Sequence, residues 1–249
     1  MAAGQEVPVA VPTVGLCFNY QRGVTFDSVY LSDVGLETVL KTLARHNLKA
    51  TFNCPAKVCE LAPARVKMIA DAGHEVAALG YADESCREMD DDALKQLIYT
   101  CRNAFAKLNL RPLGFGSPGS TGDERLCREL SKQRFRYSVE HDHAKQPYVV
   151  EPGPPPIIRM PVSTDDRGLL RSEGTVDKTI AKHYRRLRRA VEERHFVSVC
   201  FHPWILAEEK DRMQHWEEWL QTAIKLGARI SPLKDVLPPE QPADEAAGQ

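Results

Sequence analysis

Short apolar runs alternate with amphipathic stretches along most of the chain. Residues 14–18 form a β-branched apolar run that predicts a strand. Asp33 is positioned to cap a helix whose apolar residues Leu36, Val39, Leu40 and Leu43 recur at helical spacing. The same reading predicts a strand over 49–53, a helix over 63–73 closed by Gly73, and a strand over 74–79. Next comes a helix over 90–109. It opens on acids and carries Leu94, Leu97, Ile98, Cys101 and Phe105 on one face. A strand then runs into a Gly/Pro turn over 112–119, followed by a helix over 123–133 and a strand over 135–139. The Pro-rich segment 151–156 reads as an irregular loop, because a strand over 157–162 resumes at once. A helix over 176–194, a strand over 196–201, a helix over 208–226 ending at Gly227 and a last short strand complete the pattern.

Strands alternating with helices give a parallel sheet covered by helices. This number of units favours an α/β fold of the irregular (β/α)7-8 barrel type. We divide the chain into an N-terminal extension (1–12), one barrel domain (13–237) and a disordered tail (238–249).

Composition narrows the function classes. The chain has 249 residues, a net charge of −1 and 27% charged residues, so no global field favours nucleic acid or an anionic membrane. The basic run 183–189 reads as a solvated helix face, given the acids that follow. No stretch is apolar enough to span a bilayer, and the N-terminus lacks a signal-peptide pattern. Seven scattered cysteines without a CxxC pair fit reduced thiols and a cytoplasmic location. The expected partner is a small-molecule substrate; a homo-oligomer is left open.

In barrels of this class the chemistry sits at the C-terminal strand ends. That rule selects Asn19 and Tyr20, Asn53, residues 79–84, 116–120 and 140–143, Asp165 with Asp166, and His202. His202 is the natural proton carrier, because imidazole titrates near neutrality. Glu140, His141, Asp142 and His143 end one strand, and Asp83 or Asp166 could assist an imidazole or order a loop. Cys17 and Cys200 read as core; Cys200 shares a strand face with His202, a weak nucleophile signal. Tyr20, Tyr81, Tyr148 and Trp204 could wall in a ring-shaped ligand.

The phrases "TVGLCFNYQRG", "LARHNLKATF", "IADAGHEV", "GFGSPGS" and "FHP" together resemble the polysaccharide deacetylase (NodB-homology) family over roughly residues 13 to 235. The resemblance implies a deacetylase-type barrel. It also exposes departures. The family's "TFDDG" pairs a general base with a metal ligand; Asn19 and Tyr20 stand there. Its two metal-binding histidines correspond to Leu79 and Asp83. Its "FRAPG" arginine is absent from the turn that holds Ser117. Its last motif, with an acid histidine, is matched by His202. Zinc wants about three ligands from His, Cys or carboxylate, so no metal and no other cofactor is expected. "DHAKQPYVV" and "RMPVSTDD" are similar to a branch that includes ring-opening allantoinases and cyclic imide hydrolases, thought to act without a tightly bound metal.

The expected function is a metal-independent enzyme that cleaves a C–N or ester-type bond in a small metabolite. His202 would move protons, with an acid from Asp83, Glu140, Asp142 or Asp166. Asn19, Tyr20, Tyr81, Ser117, His141, His143 and Trp204 would bind substrate. Two alternatives stand beside it: an inactive pseudoenzyme that binds a ligand or protein, and a metallo-deacetylase with substitute ligands from Asp83, His141, His143 or His202.

Overall fold

The computed structural model describes residues 2–171 and 173–239. The expected tail, 238–249, therefore lies outside the described residues from 240 onward. One sheet organises the chain. Strands β1 (Thr13–Asn19), β2 (Thr51–Cys54), β3 (Glu75–Leu79), β4 (Gly114–Gly116) and β5 (Tyr137–His141) lie side by side in parallel. Three more strands follow β5: β6 (Tyr148–Glu151), β7 (Ile157–Val162) and β8 (Thr164–Asp165). β9 (Phe196–Phe201) and β10 (Arg229–Ser231) complete the set. The order is β6-β7-β5-β4-β3-β2-β1-β9-β8, with β10 also on β1. No pairing joins β6 to β8 among the described residues, so the sheet is a curled half-barrel with an open side. It is mixed, because β6 runs antiparallel to β7.

The short strands β6 and β8 escape the sequence pattern. The expected N-terminal extension is tied down as well: Gly4 and Val7 donate to the carbonyls of Val149 and Pro147, and Val149 donates to Gln5. Among the described residues eight α-helices cover the sheet: α1 (Val29–Arg45), α2 (Ala56–Leu61), α3 (Pro63–Asp71), α4 (Asp91–Ala106), α5 (Glu124–Lys132), α6 (Glu173–Glu192), α7 (Pro203–Glu208) and α8 (Lys210–Lys225).

Several helix ends follow the expected chemistry. Gly73 takes the left-handed conformation (φ 78°) just past α3, which costs glycine nothing. Asp90 caps α4 by accepting from the Ala93 amide, and Asp123 caps α5 through Leu126. Asp33 is a correction. Ser28 caps α1, accepting from the Leu31 amide, and Asp33 sits one turn inside that helix, held by Tyr20 and Arg22. The helix expected over 208–226 is α8, and a short helix the pattern did not announce, α7, precedes it, the two parted at Glu209, whose backbone is extended. α7 packs tightly on α1: a Cβ on Gly35 would fall 2.0 Å from the Pro203 carbonyl oxygen.

Pleat parity sorts the strand residues into two buried layers. Val14, Leu16, Phe18, Tyr20, Phe52, Val197, Val199 and Phe201 pack under the helices. Phe18 stacks on Phe52 with ring centroids 5.0 Å apart. Cys17, Ala77, Tyr137, Val139, Met160, Val162 and Cys200 fill the concave interior instead. Successive strand side chains point to opposite faces, so one-residue differences decide which groups can reach the mouth of the half-barrel.

Candidate active site

β9 ends at Phe201 and the backbone turns directly into α7, with His202 at the cap position and Pro203 opening the helix. His202 follows Cys200 by two residues and shares its inward face. It is 1% exposed. Asp166, fully buried just after β8, grips it twice: His202 Nδ1 lies 2.6 Å from Oδ1, and the His202 amide donates to Oδ2 at 2.8 Å. A carboxylate can only accept, so Nδ1 carries the hydrogen. In the neutral imidazole Nε2 is then the acceptor.

Nε2 faces Asn19, whose Nδ2 lies 3.4 Å away. Asn53, adjacent to Asn19 in the β1–β2 register, donates from Nδ2 to Asn19 Oδ1 at 2.9 Å. Four side chains thus form a continuous polar row, Asn53–Asn19–His202–Asp166, drawn from β2, β1, the end of β9 and the end of β8. The Asn19 and Asn53 end of the row lines a cleft, with His202 and Asp166 buried behind it; the other lining residues include Gln21, Leu79, Ser117, Glu140, His141 and Arg167.

Glu140 anchors the opposite wall. Its carboxyl accepts from the Ser117 amide and hydroxyl (3.1 and 2.8 Å) and from the Ser120 hydroxyl (2.7 Å). Burial pushes its pKa above the ordinary carboxylate value, partly offset by those hydroxyls and by Arg159. The Ser120 oxygen also accepts from the His141 amide, and Ser117 accepts from the Gly122 amide. The turn is therefore fastened to one acid. At the rim His141 meets Asp165 at 3.3 Å, and Arg167 approaches the same carboxylate at 3.9 Å. Burial raises the Asp165 pKa, but the bond from His141, with the charges of His202 and Arg167, outweighs it and holds the group down at about 2.

The structure thus gathers Asn19, Ser117, Glu140, His141, Asp166 and His202 at or beside one cleft. The other expected site residues lie elsewhere, and the reasons are local. Tyr20 is on the wrong pleat: it is fully buried on the helix side and donates to Asp33 at 2.6 Å, so it fills no space in the cleft. Gln21, one residue on, is the side chain that lines it. Asp142 turns back into its own loop, accepting from Tyr148 at 2.6 Å and from the Ala144 amide. Asp83 and His143 are exposed and outside the cleft lining. Tyr81 donates to Glu60. Trp204 packs edge-on to Phe26 at 5.7 Å, in a small buried cluster with Leu169 and Ile205. Tyr148 is committed to Asp142, so the four expected aromatics make no wall.

Gln21 and Arg167 were not among the selected positions; Asn53 was selected by its strand end but given no role, and the pairing of Asp165 with His141 was not expected. Strand parity could have found Gln21, since it alternates in register with inward neighbours. Nothing in the linear pattern announced Arg167 or the Asp165 pairing.

The metal that the family resemblance implies does not fit these residues. The positions that match the family's motifs offer the neutral amide of Asn19, the phenol of Tyr20 turned away to the helix side and the hydrocarbon of Leu79, with Asp83 exposed to solvent. An amide and an alkyl chain cannot replace the carboxylate and imidazoles zinc prefers. No group of three or more His, Cys, Asp or Glu side chains is placed to hold a metal ion among the described residues.

The polysaccharide deacetylase family model matches residues 22–138. The peptidoglycan deacetylase-like protein FGM2 of Gibberella zeae is 29% identical over 131 residues, 51% of this chain and 39% of that protein. The chain thus spans less than half the length of the curated relatives it matches. A structure described as a polysaccharide deacetylase, from Mycobacterium smegmatis, superposes with a TM-score of 0.80 at 18% identity, covering 94% of this chain and 93% of that one. The Puue allantoinase structure gives a TM-score of 0.74 at 16% identity, covering 91% and 89%. At these identities the two structures speak for the fold: the same curled α/β half-barrel. The family model runs from α1 into β5, so over that part the chain is similar to the polysaccharide deacetylase family.

Proposed function

We propose that this chain is a hydrolase of the deacetylase fold that works without the family metal, on a C–N or ester-type bond of a small intracellular molecule. The observation that carries the reading is the buried His202–Asp166 pair, closed at 2.6 Å with Nε2 turned to Asn19, which lines the cleft. An imidazole held in one tautomer by a carboxylate is the usual arrangement of a general base. Water would lose a proton to Nε2 as its oxygen bonds to the acyl carbon. The same proton would then pass to the departing nitrogen or oxygen. The Asn19 and Gln21 amides border the space where the carbonyl oxygen would gain charge, and such donors can stabilise an oxyanion where a metal is missing. Seven unpaired, buried thiols support a reducing compartment and hence a cytoplasmic substrate.

The test is turnover of a panel of small amides, imides and esters in chelator-treated buffer, comparing wild type with His202→Ala. We expect hydrolysis that survives chelation and is lost in the variant. Activity that requires added zinc, or that persists in His202→Ala, refutes the reading.

One observation favours a second reading, a binding protein without turnover. Asn19, at the position of the family's base, places its own amide against Nε2. If that contact is never displaced, the imidazole serves recognition alone. Saturable binding across the panel with no hydrolysis by wild type would select this alternative.

A further inference from the structure

The polar row ends on an atom that nothing satisfies. Its polarity is set from one end. Asp166 accepts, so Nδ1 of His202 donates, so Nε2 accepts in the neutral ring, so Asn19 turns Nδ2 toward it. Asn19 is then left with its oxygen facing β2, and Asn53 must answer with Nδ2. Each amide is oriented by the one before it, with no freedom to flip alone. What remains is Asn53 Oδ1, buried and without a hydrogen-bond partner among the described residues. The side chain is 1% exposed and lines the cleft.

A buried carbonyl oxygen without a donor is costly, and native proteins tolerate few of them. The neighbouring charged groups do not offer it one. Glu140 is occupied by Ser117 and Ser120, and Arg167 lies beside Asp165. The cleft therefore presents a neutral acceptor at its inner end.

We infer that Asn53 is a specificity-determining residue of the cleft: its Oδ1 takes an N–H donor from an uncharged, amide-type ligand group. This deepens the reading of the cleft as the working site of His202 and rests on it. The Asp166–His202–Asn19 row acts as the positioning device that keeps the acceptor end of Asn53 free. A ligand lacking the N–H would leave the oxygen as unsatisfied as before and would bind more weakly.

The probes are acetamide and N,N-dimethylacetamide, titrated into the full-length chain labelled with nitrogen-15. Side-chain amide resonances of Asn53 and Asn19 report binding. We expect acetamide to shift both and to bind about tenfold or more tightly than the dimethyl analogue. Asn53→Leu, nearly equal in shape, should abolish that preference. Equal binding of the two probes, a preference that survives Asn53→Leu, or no shift with acetamide at its solubility limit overturns the inference. The wild-type comparison decides alone if the variant does not fold. The two readings fail separately. A preference for the N–H donor without any hydrolysis removes the catalytic proposal and leaves Asn53. Hydrolysis without that preference does the reverse.

Discussion

Asp166→Asn is the most informative single change in this fold. The substituted side chain keeps the shape but only one acceptor oxygen. Asp166 now serves two donors of His202, the backbone amide at 2.8 Å and Nδ1 at 2.6 Å, and the carboxyl is fully buried. If the new oxygen stays on the backbone amide, its NH2 faces Nδ1. That nitrogen must give up its hydrogen, and the ring changes to the Nε2–H tautomer. Nε2–H then points at Asn19 Nδ2, donor against donor at 3.4 Å. Asn19 and Asn53 must both rotate to relieve it. The loss of one hydrogen bond to a charged group costs about 1.5–3 kcal/mol. Complete removal in Asp166→Ala leaves two buried donors unpaired and costs about 3–5 kcal/mol. Without a lone pair at Nε2, a base-catalysed rate falls by about 10²–10⁴. Two assays follow: urea unfolding, and the nitrogen-15 shifts of the His202 ring, which distinguish the tautomers without any substrate. An Asp166→Asn protein with the wild-type tautomer and a stability loss below about 0.5 kcal/mol would falsify the argument.

Stability should fall on acidification between pH 6.5 and about 4. Burial, with neighbouring positive charge, lowers His74 and His215 from 6.5 to about 4. The unfolded chain therefore binds more protons in that window, and the stability present above 6.5 is lost as pH falls. His215→Phe should flatten the melting-temperature profile there, and an unchanged slope would count against this account. Tyr20→Phe removes the 2.6 Å bond to Asp33, with about 1–2 kcal/mol lost on unfolding, while acetamide shifts at Asn53 stay as in wild type because the ring faces the helices. Gly35→Ala drives a methyl into the Pro203 carbonyl and should cost more than about 3 kcal/mol by urea unfolding; a near-neutral result would mean that α1 and α7 pack less tightly than described. Zinc competition on wild type should give no stoichiometric site, and a tight one would show that ligands assemble from groups that lie apart in this fold.

The fold was legible because its strongest signals are local and repeated. Each main strand is an apolar run and each long helix carries an apolar stripe, so alternation alone implied the sheet and its covering layer. β8 has two residues and β6 four. Such segments are made by register with a neighbour, and no propensity marks them. Asp33 shows the same limit in a helix. An acid near a helix start reads as a cap, but the competing Ser28 lay a few residues earlier, and a long-range partner at Arg22 claimed the carboxyl.

The site shows where motif matching misleads and where strand geometry corrects it. Aligned phrases select adjacent positions, Asn19 and Tyr20, as though both faced one centre. A strand cannot present neighbours to the same side, so one of them had to leave, and the hydrophobic pattern says which. Tyr20 continues the series Val14, Leu16, Phe18 under the helices. Asn19 and Gln21 continue the inward series of Cys17. The same argument brings Asn53 inward, since Phe52 and Cys54 belong to the helix-side layer. Three carboxamides thus converge near an imidazole, with no acid at the family's base position on β1. An amide differs from a carboxylate in having a donor end, and so it has a direction. Replacing acids by amides exchanges a site that attracts a cation for a row whose polarity is fixed by whichever charged group it touches. Here that group is Asp166, acting through His202. The chemistry left to this cleft therefore depends on that pair, and any substitution that reverses the ring reverses the row behind it.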